Sequence, residues 1–218
     1  MTLGSFMFIA KLQMSIFAIC ALLSLIKYRT RDLYIKILGF ALVFSVAADL
    51  SAGILHDLKI SVNYGSSIYR LGAFPLISLL YFYALGRRLA KFFIIINIIY
   101  FIFGATNLLF IQKSAINTYT LILNSILVII FSLYYFYWLL RVLPTAQLQR
   151  LPMFWLNSAH IIYFSGNLFL FVFTSYLVNV LNNNLLVYWT IHNILGIIEG
   201  FMIIVALWLD LQNIKSPS

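Results

Sequence analysis

Residues Trp189 to Gln212 read WTIHNILGIIEGFMIIVALWLDLQ, a run long and apolar enough to cross a bilayer that nevertheless holds His192 and Glu199. Glu199 is the only glutamate in the chain. An ionisable side chain near a bilayer centre costs about 3 kcal/mol or more, so it faces a protein interior or a water-filled cavity. His192, Gly196, Glu199 and Gly200 follow spacings of four, three and one, which puts them on one side of a helix. Gly196 and Gly200 form a G-x-x-x-G pair that lets a neighbouring helix approach closely. The same side that carries the charge therefore points into a bundle.

The rest of the chain has the same character. Of 218 residues, 64% are hydrophobic and 9% charged, and the mean hydropathy is +1.03. A soluble domain carries about 25% charged residues. At about 20 residues per span, six or seven spans take up nearly all of the chain and leave no room for a soluble catalytic or DNA-binding domain. The expected fold class is an all-α polytopic membrane protein, one seven-helix transmembrane domain over 1–218. Helices are expected at about 5–26, 33–55, 64–85, 92–111, 118–141, 153–180 and 185–209. The second and third are interrupted by Asp49 and Arg70, which must face inward. Cys20, the single cysteine, permits no intrachain disulfide. Lys11 breaks the first apolar stretch and no small-residue cleavage site follows, so the first helix is expected to be retained.

The formal net charge of +9 falls in small groups between apolar runs, not along one face, so it points to membrane topology and not to nucleic acid. Lys27, Arg29, Arg31, Arg87, Arg88, Lys91, Arg141, Arg150 and Lys215 lie on one side of the predicted spans. Only Lys59 and Lys113 lie on the other. The positive-inside rule then predicts an N-terminus outside and a C-terminus in the cytoplasm. Trp138, Trp155 and Trp208 fall at the predicted inner ends of spans five, six and seven, where amphipathic rings settle.

Position along a helix, at 1.5 Å per residue, converts to depth. Asp49, Arg70, Asn124 and His192 all fall roughly 9–10 Å below the predicted outer surface by that rise. Lys11, Asn107 and Asn167 share the outer third. His160 and Glu199 lie about two-thirds of the way to the inner side, on consecutive helices, where a carboxyl and an imidazole can meet. The three histidines cannot form one metal site, because His56 belongs at the outer end and His160 about 20 Å deeper. Asn157, His160, Phe164 and Asn167 follow the helical period and make one face of span six. Pro75, just beyond Arg70, leaves the carbonyl of Leu71 without its helical donor.

Each of these residues also has a plain structural explanation. Asp49 and Arg70 are expected to pair with each other, since buried charges pair when they can. The asparagines, taken singly, are interhelical hydrogen-bonding groups. The histidines are satisfied core residues, and Lys11 and Lys36 snorkel toward the nearer interface. Their common depth is what points past these explanations to a binding pocket.

Several seven-helix families are excluded by missing residues. No lysine lies between Leu185 and Leu209 to carry a retinal Schiff base, and the places of D-R-Y and N-P-x-x-Y read YALGRRLAK and GFMIIVALWLD. His192 lacks the H-x-x-x-H partner of zinc hydrolases of the progestin-receptor and ceramidase type. FWLNSAHIIYFSGNLFLFVF (Phe154 to Phe173) followed by NNNLLVYWTIHNILGIIEGFMIIVALWL (Asn182 to Leu209) resembles an uncharacterised group of short bacterial seven-helix membrane proteins. That group is itself similar to the stand-alone sensor regions of histidine kinases. The resemblance implies topology and a bacterial setting, with no catalytic residues.

The expected function is that of an inner-membrane sensor-like protein. It binds a small ligand or ion in an outward-facing polar pocket made by Asp49, Arg70, Asn107, Asn124, Asn167 and His192, with His160 and Glu199 as a proton-coupling pair. No catalytic set, cofactor or metal is predicted. The expected partners are the lipid bilayer and an unidentified membrane or cytoplasmic protein, with no nucleic acid. Two alternatives compete: a structural or assembly subunit of a larger membrane complex, and a small proton-linked transporter or intramembrane enzyme.

Overall fold

The computed structural model describes residues 2–58, 63–112, 117–145, 147–179 and 185–215, and every regular element among them is helical. Seven long helices stand among the described residues: α1 Leu3–Leu25, α2 Leu33–Asp57, α3 Asn63–Ala84, α4 Ala90–Thr106, α5 Thr118–Val142, α6 Pro152–Asn179 and α7 Leu185–Lys215. The starts and stops have local causes. The Thr2 hydroxyl accepts from the Ser5 amide at the start of α1, the usual N-cap arrangement. Pro152 occupies the first position of α6, where its missing N–H costs nothing. Leu143 closes α5 in the left-handed conformation, and Pro144 follows it and prevents continuation. Helix α3 runs through Pro75 without a break.

Six of these helices are long and apolar enough to cross a membrane, while the apolar part of α3, Ile68–Ala84, is shorter. The chain is a multi-pass membrane protein by that measure, and its outer surface fits lipid contact. Helix α4 shows this most clearly: Ile94, Ile95, Ile98, Ile99, Phe101 and Ile102 are all exposed, an apolar surface that water would not tolerate on a monomer.

Consecutive helices pack against one another around the whole set, and α1 closes on α7. Helix α3 also reaches α5 directly, which leaves α4 at the periphery. The α1–α7 seam is closest at Gly200. A Cβ there would sit 2.4 Å from Cγ2 of the buried Ile16, so glycine is what lets the helices approach, whereas one on Gly196 would meet the end of the flexible Gln13 side chain, which can move aside. The Cys20 thiol donates to the Gly200 carbonyl across the same seam (3.4 Å). Between α3, α4 and α5 the core is aromatic: Phe74 lies 4.0 Å from Tyr100 and 6.0 Å from Phe131, ring centre to ring centre.

Two helix ends differ from expectation. Helix α4 gives way after Thr106 to a single π-helical turn, Asn107–Ile111. Helix α7 continues six residues past the predicted end, to Lys215, because Asp210 is held by Arg31. The Arg31 guanidinium is buried. Its Nη1 donates to Asp210 Oδ2 (2.6 Å) and to the Leu207 carbonyl (3.5 Å), its Nη2 to Leu23 O (2.7 Å) and its Nε to Ile26 O (2.9 Å). One side chain thus caps the carbonyl end of α1, where cations are favoured, and fastens that end to α7. Sequence reasoning had counted Arg31 only as a loop charge.

Candidate functional site

A cavity of about 530 Å³ lies inside the ring of helices, walled by α1, α2, α3, α5, α6 and α7. Asp49, Arg70, Asn124 and His192 line it, as do His160 and Glu199. Six of the eight predicted site residues therefore share one space. Two contacts join residues of like predicted level. His192 Nδ1 lies 2.5 Å from Asn167 Oδ1, while His160 Nε2 faces Glu199 Oε1 at 3.9 Å. His192 and Glu199 are seven residues apart on α7, about 10 Å by the helical rise.

The remaining two residues serve the frame and not the wall. Asn167 is fully buried, and its Nδ2 donates to Tyr163 O (2.8 Å). Its Oδ1 is then the acceptor for His192, which fixes the imidazole proton on Nδ1. Asn167 is a positioning residue behind the cavity. Asn107 sits at the π turn, where its amide nitrogen donates to Asn117 Oδ1 and to Thr120 Oγ1 (3.0 Å). That joins the end of α4 to the start of α5, away from the cavity. His56, which was placed at the outer end, has a side chain outside the described part, as do Lys59 and Lys113.

The ion pair expected between Asp49 and Arg70 is not formed; the ion pair among the described residues is Arg31–Asp210, and His160 and Glu199 face each other as base and acid. Asp49 is exposed at one end of the cavity wall. The Arg70 guanidinium donates to no described residue, and its Nη1 is buried without a partner. Asn124 Oδ1 is buried and unpartnered as well. Buried polar groups are partnered in nine cases of ten or more; among the described residues five buried side-chain atoms are not, and two of them share this cavity while those of Asn97, Asn107 and Trp138 lie away from it.

The base of the cavity is organised by Tyr81, which sequence reasoning missed. Tyr81 is fully buried, and its hydroxyl donates to Asn157 Oδ1 (2.8 Å). That uses its one proton. The Ser132 hydroxyl (2.6 Å) and His160 Nδ1 (3.0 Å) must then donate to the Tyr81 oxygen. Asn157 Nδ2 completes the set by donating to Ser132 O (3.1 Å). With its proton on Nδ1, His160 presents the Nε2 lone pair to Glu199. At 3.9 Å the two are beyond a direct hydrogen bond, and a proton moving between them would need a bridging group or a small shift of either side chain.

Other wall residues were also unforeseen: Gln13 on α1, Tyr69 on α3, Tyr163 on α6 and Trp189 on α7. Gln13 had a readable signal, a polar residue inside the first span. The aromatic residues had none, because a tyrosine or tryptophan in a span reads as packing. Among the described residues no group of three His, Cys, Asp or Glu side chains is placed to hold a metal ion. Compared with protein-family models, curated proteins and solved structures, the chain matches none.

Proposed function

We propose that the protein is a sensor-like membrane protein that binds a small ligand in the central cavity and passes the change to a partner protein. The observation that carries this is the contrast in polar satisfaction. Asn157, Asn167, Tyr81 and Arg31 are held by protein groups, whereas Arg70 and Asn124, on the cavity wall, are not. At about 530 Å³ the space is within the range of small-molecule sites.

The proposal includes seven spans with the N-terminus outside. Helix α3 has 22 residues, long enough at 1.5 Å each to cross a hydrocarbon core of about 30 Å. The loop charge bias supports the orientation, as does the position of Trp138 in the last turns of α5 and of Trp155 in the first turn of α6. On that orientation Asp49 marks the outward mouth. The bacterial inner membrane as location rests on the resemblance of the α6–α7 sequence alone. Signalling would be a population shift: the ligand favours one packing of the ring, and basic cytoplasmic loops present the difference to the partner.

The His160–Glu199 contact at the cavity base favours a second reading, a proton-linked carrier, because a buried carboxyl beside an imidazole can hold and pass a proton. Glu199→Gln separates the two. A carrier loses proton-coupled uptake in vesicles, whereas a sensor keeps ligand binding and shows no uptake in either form.

The proposal is tested by isolating the protein with its native lipids and identifying small molecules released on denaturation. Wild type should release one compound in stoichiometric amount, and Ala73→Phe, which fills the cavity wall, should release none. Equal yields from both would remove the cavity as the binding site. Orientation is tested with Cys20→Ser and a new cysteine at Thr2 or at Gln147. A membrane-impermeant thiol reagent should label the first in intact cells and not the second.

A further inference from the structure

Arg70 stands alone on the wall of the cavity proposed above as a ligand site. A guanidinium is charged at any accessible pH and presents up to five N–H donors in a planar fork that fits a carboxylate. Neither acid on the same wall pairs with it. Glu199 faces His160 at 3.9 Å, and Asp49 is exposed and not in ionic contact with Arg70. Asn124 Oδ1, an acceptor, also has no donor. The wall between these groups is apolar and aromatic, with Tyr69, Tyr163, Phe171 and Trp189.

Resting on that ligand-site reading, we infer that the cavity takes a small organic carboxylate: its carboxylate on the Arg70 fork, a hydroxyl or N–H donor on Asn124 Oδ1, and an apolar or aromatic body against the tyrosines and Trp189. A cation is disfavoured by the uncompensated charge of Arg70. A bare inorganic anion meets the charge but leaves Asn124 without a donor and most of the 530 Å³ unfilled. An organic acid with a hydroxyl near its carboxyl group satisfies all three requirements, and a bidentate charge-assisted pair is the strongest contact on offer.

The test uses the full chain in lipid nanodiscs with three probes: mandelate, which has a carboxylate, a hydroxyl and a ring; phenylacetate, which lacks the hydroxyl; and mandelamide, which lacks the charge. Affinity is read from calorimetry and from the rise in melting temperature with probe concentration. Mandelate should bind at least about tenfold more tightly than mandelamide, the effect of one charge-assisted hydrogen bond, and severalfold more tightly than phenylacetate. Arg70→Gln should abolish the preference for mandelate over mandelamide. Asn124→Ala should abolish the preference for mandelate over phenylacetate and leave the preference for charge intact. Arg70→Lys, which retains the charge without the fork, should keep mandelate preferred but more weakly bound, and it serves if Arg70→Gln does not fold.

If mandelamide binds as tightly as mandelate to wild type, or chloride displaces mandelate at matched ionic strength, the carboxylate inference is overturned. The site reading survives that result provided Ala73→Phe still blocks the probes. If no probe binds wild type, or if Ala73→Phe binds them unchanged, the ligand-site reading falls with the inference.

Discussion

Two arginines of the chain are treated in opposite ways: Arg31 is buried, and Arg70 is half-buried with its Nη1 closed off from solvent. Arg31, at the junction of α1, α2 and α7, donates to one carboxylate and three carbonyls, which engages four of its five N–H groups. Arg70, on the cavity wall, donates to none of the described groups. The cost of taking a guanidinium out of water is offset at the first site by protein acceptors that are always present. At the second it is not offset by the described protein. The difference separates a side chain that holds the bundle from one that is available to something the bundle holds.

That contrast predicts opposite mutational responses. Arg31→Ala should lose about 3–5 kcal/mol of stability, because it leaves Asp210 as an uncompensated buried charge and uncaps α1. The double variant Arg31→Met with Asp210→Leu should recover a large part of it, as measured by melting in nanodiscs. Arg70→Gln removes no protein partner and should change stability by less than about 1 kcal/mol in the absence of ligand. Equal losses at the two sites would erase the distinction.

Smaller effects sharpen it. Tyr81→Phe removes the hydroxyl on which Ser132, Asn157 and His160 converge and should cost about 1–3 kcal/mol, read from chemical denaturation. The ligand preference set by Arg70 should be unchanged, since the change lies at the cavity base. Gly200→Ala drives a methyl into Ile16 and should cost about 1–3 kcal/mol by overpacking the α1–α7 seam. Gly53→Ala, with nothing within 4 Å of the new Cβ, should be neutral or slightly stabilising, by up to about 1 kcal/mol from helix propensity.

Most of the fold was legible because length and hydropathy are local properties. The runs that became α4 and α5 are unbroken apolar stretches, and their limits agree with the structure to within two residues apart from the π turn closing α4. Depth was legible for the same reason: the helical rise converts sequence position into level, and His160 with Glu199, and Asn167 with His192, do meet. Neither the relative slide of neighbouring helices nor the direction in which a residue faces can be read from level. Asp49 and Arg70 were matched by counting from predicted outer ends, yet the contact of the Phe44 and Tyr69 rings (5.3 Å) between antiparallel α2 and α3 sets Arg70 near the level of Val43. Asp49 lies more than a turn beyond, about 9 Å by the rise. Asn107 turns toward the start of α5 and away from the cavity. The Arg31–Asp210 contact was invisible because its partners lie at opposite ends of the chain and each reads as an ordinary loop charge.

The central claim is that Arg70 and Asn124 are left vacant by the protein because a ligand occupies them. A high-resolution structure of the protein purified with its native lipids tests it most directly. The account predicts density in the central cavity within hydrogen-bonding distance of both the Arg70 guanidinium and Asn124 Oδ1. An empty cavity in which Asp49 or Glu199 has swung onto Arg70 would contradict it.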